Sequence, residues 1–163
     1  MKEISYKELK INPVTLFSDS WGELVTGKKG DKVNAMTISW GQIGSLWGHS
    51  SGMPQRFSKI LLDKEDYFTV CFFDKKYKKE LSYLGTHSGK DEDKIQKVGF
   101  SSVSFEDYSY INEASLVFVC RKLYRQTMKE ECFLDQGVIA DCYPHKDFHD
   151  LYIAKIEKVL IKE

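Results

Sequence analysis

The chain has 163 residues, 42% hydrophobic and 29% charged, which suits one globular domain with a sizeable core. Basic and acidic side chains balance at 24 each, so no charge excess argues for a nucleic-acid partner or an anionic membrane surface. No stretch reaches the ~18 apolar residues of a membrane span, and MKEISYKELK lacks the apolar segment of an export signal. Cys71, Cys120, Cys132 and Cys142 are far apart and form no CxxC, which reads as reduced thiols in a cytoplasmic protein.

Residues 1–163 read as a single domain, with residues 1–11 a polar, loosely attached N-terminal extension. Pro13 introduces a short apolar piece, Val14-Thr15-Leu16-Phe17. Residues 21–26 (WGELVT) alternate, enter a loop over 27–30, and alternation resumes at Val33; this predicts a β-hairpin.

The second strand of that hairpin opens residues 34–48, NAMTISWGQIGSLWG, the most biased run in the chain. Alternation puts Met36, Ile38 and Trp40 on a large apolar face and Ala35, Thr37 and Ser39 on a small, partly hydroxylic one. The first face suits a core. The second suits either a flat or phosphorylated ligand close to backbone N–H groups, or another backbone packed closely against it. Gly41, Gly44 and Gly48 then predict a glycine-rich turn, with residues 49–53 (HSSGM) as a loop.

Pro54 begins a short amphipathic helix with Phe57, Ile60 and Leu61 on one face. Residues 67–73 (YFTVCFF) predict a buried strand. Residues 75–84 predict a surface helix, stopped by Gly85. After the polar loop 85–94 (GTHSGKDEDK), Asp91, Glu92 and Asp93 suit a helix N-terminus, and Gly99 ends that helix. Residues 116–124 predict a strand, 133–140 a weaker one, and 151–161 a strand on their β-branched content. Six or seven strands with a few short helices, in no regular βαβ order, predict a mainly β fold: a β-barrel with short helices.

Neither GxGxxG nor GxxxxGK[ST] is present, so neither phosphate-loop mechanism is supported. The four histidines show no metal spacing, and no GxSxG or cysteine-protease signature occurs. Two stretches suit an anion. Arg56 and Ser58 lie beside the N-terminus of a predicted helix. Thr86, His87, Ser88, Gly89 and Lys90, followed by Lys94, combine hydroxyls, a glycine and ammonium groups. Taken alone, the first reads better as an ordinary helix surface and the second as a solvated loop.

NAMTISWGQIGSLWG, PQRFS, DYFTV, YLGTHSGKDEDK and FHDLYIAKIEKV, in that order and spacing over residues 12–161, resemble the flavin reductase-like, FMN-binding split-barrel proteins, including the flavoredoxin group. The resemblance implies a homodimer of split barrels holding FMN non-covalently near the interface. It implies that the strand carrying Asn34, Ala35, Met36, Thr37, Ser39 and Trp40 lies along the isoalloxazine and ribityl chain. Arg56 and Ser58 would meet the phosphate, and Ser88, Gly89 and Lys94 would close over it. Electrons would come from NAD(P)H or a redox partner and pass through the flavin, with no catalytic side chain of the protein required. The alternative is a non-catalytic flavin- or small-molecule-binding dimer that has kept the fold. One departure favours that alternative: relatives carry an apolar strand before the P-x-R motif, whereas only residues 49–53 fill the gap here, which implies either a truncated strand, with an exposed barrel edge, or a part of the natural chain absent from this sequence.

Overall fold

The structure is a computed structural model that describes residues 1–47, 49–54 and 59–163. In chain order its strands and helices are β1 (Lys2–Ile4), α1 (Pro13–Ser20), β2 (Gly22–Thr26), β3 (Asn34–Ile38), β4 (Gly41–Leu46), β5 (His49–Pro54), α2 (Lys59–Lys64), β6 (Tyr67–Phe72), α3 (Lys78–Thr86), α4 (Lys94–Lys97), β7 (Ser102–Ser104), β8 (Ser109–Ile111), β9 (Leu116–Thr127), α5 (Gln136–Cys142) and β10 (Asp150–Ile161). The fold is mainly β, as predicted, with short helices. One antiparallel sheet runs β3-β2-β6-β9-β10-β5-β4, with β1 paired to the far part of β10; β7 and β8 form a separate hairpin. No helix among the described residues is long and apolar enough to cross a membrane.

The central strands are buried on both faces, which explains their unbroken apolar sequences. On one face Phe68, Val70 and Phe72 of β6 join Leu116 and Phe118 of β9, Leu24, Ile38 and Phe17. Phe72 meets Phe17 and Phe118 edge to face at centroid distances of 5.3 and 5.8 Å. On the other face Cys71, Val117 and Val119 pack with Leu81 and Leu84 of α3, Ile95 of α4, and Phe100. Phe73 and Phe100 stack there at 5.4 Å. Two register shifts along β9 and β10, at Ile153/Ala154 and Ile156/Lys158, let Val159 reach the first core and Leu160 the second.

Several local expectations change. Residues 1–10 are not loosely attached: β1 pairs with β10, and Ile4, Leu9 and Ile11 pack on the first core. The apolar piece after Pro13 is α1, started by Pro13 and by Asn12, whose Oδ1 accepts the Val14 N–H at 3.0 Å. The predicted glycine-rich turn is instead β4, and the predicted loop 49–53 lies in β5; the two pair from Gly41↔Pro54 to Leu46↔His49. β5 also pairs with β10, so the strand expected to be truncated is present. Period-2 apolarity is absent from these two strands, which is why their backbone pairing left no pattern in the sequence.

Pro54 ends β5 rather than beginning a helix, and α2 starts at Lys59. The last turn of α2 is tied down. Tyr152 Oη donates to Asp63 at 2.7 Å, Arg125 pairs with Asp63 at 2.9 Å, and Lys122 Nζ bonds the Leu62 carbonyl. Residues 133–140 are not a strand: Asp135 caps Gly137 N–H at 2.8 Å and starts α5. Gly85 does not stop α3; it lies within the helix, which runs to Thr86.

Candidate flavin-binding corner

Two sequence stretches predicted to act together meet where the N-terminal half of β3 faces α3 and α4. β3 is a terminal strand of the sheet, paired on one side to β2 from Thr26↔Asn34 to Gly22↔Ile38. A terminal strand presents one row of backbone N–H and C=O groups outward.

The side chains of β3 are placed differently from the predicted faces. Ile38 is buried and Met36 half-buried, both against the first core, as the apolar face requires. Trp40, expected on that face, lies beyond the end of β3 and is 46% exposed, with its ring 5.3 Å from that of His149. Ala35 is fully buried in the second core, Thr37 is half-buried and Ser39 is exposed. The small face is therefore not an open wall at Ala35 and Thr37. Of the two readings left open by the sequence, close packing of another backbone is what occurs there, because α3 lies across it. A Cβ on Gly85 would come within 3.0 Å of both Cβ and Oγ1 of Thr37, so only glycine lets the helix sit this close.

Asn34, Gly89 and Lys94 converge. A Cβ on Gly89 would lie 2.2 Å from Asn34 Oδ1 and 3.7 Å from Lys94 Cε, so the loop backbone passes directly over the start of β3. Lys32 Nζ donates to the Gly89 carbonyl and fastens the loop from the other side. Lys94 is 4% exposed, and its Nζ donates to the carbonyls of Leu84 at 2.6 Å and His87 at 3.0 Å. It thus closes the C-terminal turn of α3, where carbonyls lack helical partners. Burial holds its pKa below the ordinary lysine value, opposed by the charges of Glu23 and Glu92. Ser88 Oγ accepts the Lys90 N–H at 3.2 Å and keeps its own hydrogen available. Arg56 and Ser58 lie outside the described residues.

Glu23 was not singled out by the sequence reading. It sits on β2 opposite Thr37 on one side and Cys71 on the other, with no exposed surface. Burial pushes its carboxyl up to about 8, against the Lys94 charge, which acts to lower it. The available signal was a lone carboxylate in the apolar run ELVT, between two strands that are themselves apolar. The aromatic chain from Trp40 through His149 to Tyr143, with the latter rings 5.1 Å apart, was also missed, because its members lie far apart in the sequence.

The chain matches no protein-family model and no curated protein sequence. Its fold is shared with solved structures over nearly its whole length. Flavoredoxin from Methanosarcina acetivorans superposes with a TM-score of 0.69 at 18% identity, covering 96% of this chain and 76% of that one. Flavoredoxin of Desulfovibrio vulgaris (Miyazaki F) gives 0.67 at 16% identity, over 100% and 78%. An FMN-binding protein from Thermus thermophilus, with bound p-hydroxybenzaldehyde, gives 0.68 at 17% identity, over 100% and 83%. The chain therefore has the split-barrel fold of FMN-binding and flavin reductase-like proteins, the architecture that the sequence resemblance implied.

Proposed function

We propose that this protein is an FMN-binding, flavin reductase-like oxidoreductase that moves electrons from NAD(P)H or a redox partner through non-covalently bound FMN. The observation that carries the reading is the convergence of the Ser88–Gly89–Lys94 segment on Asn34 at the edge of β3. Two motifs more than fifty positions apart meet in a fold shared with proteins named for flavin binding.

The donor set fits an anionic group. An ammonium has three hydrogens, and Lys94 commits two of them to Leu84 and His87. Among the described residues the third has no partner and would be available to a phosphate, as would the Ser88 hydroxyl. Asn34 and the β3 edge would hold the ring and ribityl portions, with Ala35, Met36 and Thr37 fixing the strand from its two faces. Ser39 and Trp40, both exposed, would border the ring, and Arg56 and Ser58 would meet the phosphate. The chemistry that FMN would supply here is hydride acceptance and electron transfer singly or in pairs. The protein contributes position and electrostatics: buried Lys94 supplies fixed positive charge, and α3 keeps water from the inner face of β3.

The whole chain acts as one domain and as a cytoplasmic homodimer in this proposal, without a nucleic-acid or membrane partner. Exposed Trp40, Leu46 and Trp47, which lie on and beside β4, support an association surface of that kind. The non-catalytic alternative drew its support from the shortened segment 49–53, and that segment still forms β5 between β4 and β10.

The test is titration of the purified protein with FMN, followed by NADH and NADPH oxidation with FMN present. Saturable quenching of flavin fluorescence with nicotinamide turnover is expected. Binding without turnover of either nicotinamide removes the reductase form and leaves the electron carrier.

A further inference from the structure

Thr37 has two very close oxygen neighbours and one hydrogen to give. Its Oγ1 lies 2.5 Å from the Leu81 carbonyl and in still closer contact with Glu23 Oε1. A carbonyl oxygen only accepts, so the Thr37 hydrogen belongs to Leu81. The contact with Glu23 then needs a hydrogen from the other side, and only a protonated carboxyl supplies one. The second oxygen, Oε2, is buried and has no hydrogen-bond partner among the described residues. An ionised carboxylate in that position would leave a charged oxygen unsolvated, which a neutral acid avoids.

We propose that Glu23 is a positioning residue: a buried carboxylic acid, held neutral, that donates its proton to Thr37 and so completes a relay from β2 through β3 to the Leu81 carbonyl of α3, and that its ionisation releases this corner.

The surroundings agree on every side. Cys71, next to Glu23 on β6, has a thiol that burial pushes up to about 12, so it brings no charge. Tyr110 of β8 is likewise pushed up by burial. α3 presents the Leu81 carbonyl, and α4 brings Lys94, the cation whose field reaches Glu23. That cation already has two carbonyl partners and does not depend on an ionised Glu23 for satisfaction.

The direction of the pH effect follows from the carboxyl. Its folded value of about 8 lies above the ordinary 4.5, so between those values the folded chain holds a proton that the unfolded chain has released. The stabilisation is complete below the lower value and lost as pH rises through the upper one. The relay belongs to the interior of the fold and operates whether or not flavin binds. Where the flavin reading holds, FMN affinity weakens on the same titration, because the seating of β3 against α3 depends on Thr37.

The test compares the wild type with Glu23→Gln, which keeps a neutral side chain able to donate to Thr37. Infrared spectra at pH 7 are expected to show a protonated-carboxyl band in the wild type that disappears as pH rises through about 8 and is missing from the variant. Between pH 5 and 8, the wild-type unfolding constant is expected to rise about tenfold per pH unit relative to that of Glu23→Gln. Amide exchange in the last turn of α3 is expected to accelerate above pH 8 in the wild type alone. No band at pH 7, or parallel pH profiles for the two proteins, overturns the proposal. The infrared measurement on the wild type decides it even if the variant fails to fold.

Discussion

Gly85→Ala reverses the usual sign of a helix substitution. In a helix interior alanine is favoured over glycine by about 1 kcal/mol, so at an indifferent site the change would stabilise. Here the new Cβ would stand 3.0 Å from Cβ and Oγ1 of Thr37, against a normal contact of about 3.5–4.0 Å. Thr37 has little room to yield, because β3 is paired to β2 and its hydroxyl is held by Leu81 and Glu23. Relief must come from moving α3, which strains the packing of Leu81 and Leu84 by roughly 1–3 kcal/mol and weakens a hydrogen bond worth about 1 kcal/mol. After the helix gain is offset, a net loss of about 2 kcal/mol remains. For a chain of this size that lowers Tm by roughly 4–8 °C, read by calorimetry or circular dichroism without ligand. A rise in Tm would refute the close seating of α3 on β3, and with it the burial of Thr37.

Ser88→Ala is expected to weaken FMN binding several-fold with little change in Tm, because among the described residues its hydroxyl makes only the Lys90 N–H contact. Lys94→Ala is expected to lose both affinity and about 2–3 kcal/mol of stability, since the buried Leu84 carbonyl is left without its donor and a second bond, to the His87 carbonyl, is lost. Fluorescence titration beside a melt separates the two effects; unchanged affinity in both variants would refute their assignment to the phosphate. Tyr152→Phe deletes the bond to Asp63, which keeps Arg125, and is expected to cost about 1 kcal/mol by urea denaturation. A larger loss would show that the last turn of α2 depends on the phenol more than on the ion pair.

Much of this architecture could be read from residue patterns. Residues 67–72 and 116–120 are apolar on both faces because both faces are buried, and the strands fell where the runs predicted. The β2–β3 hairpin followed from alternation and its intervening glycines. β4 and β5 were illegible because their small and polar residues, Gly44, Ser45, Ser50, Ser51 and Gly52 among them, carry no period-2 contrast; backbone pairing alone defines them. Gly85 was misread for a related reason. A glycine after an apolar turn signals a helix end, but here its missing Cβ admits Thr37. That distinction depends on a residue 48 positions away and is invisible locally.

The candidate site divides in the same way. The loop holding Ser88 and Gly89, with Lys94, was identified from composition and order, and the fold brings it to Asn34. The outward-facing role expected of Ala35 and Thr37 was lost to α3, because alternation assigns two faces without saying what covers each. Glu23 escaped notice because strand propensity treats an acidic residue as exposed, whereas a neutral acid with a hydroxyl partner tolerates burial.

Titration of the purified, flavin-free protein with FMN, followed by flavin fluorescence and visible absorbance, tests the central claim most directly. Stoichiometric, saturable binding with a perturbed flavin spectrum is expected, weakened by Ser88→Ala and not by a substitution at exposed Lys79. A spectrum identical to free FMN at every protein concentration would contradict the assignment of this split barrel as a flavoprotein.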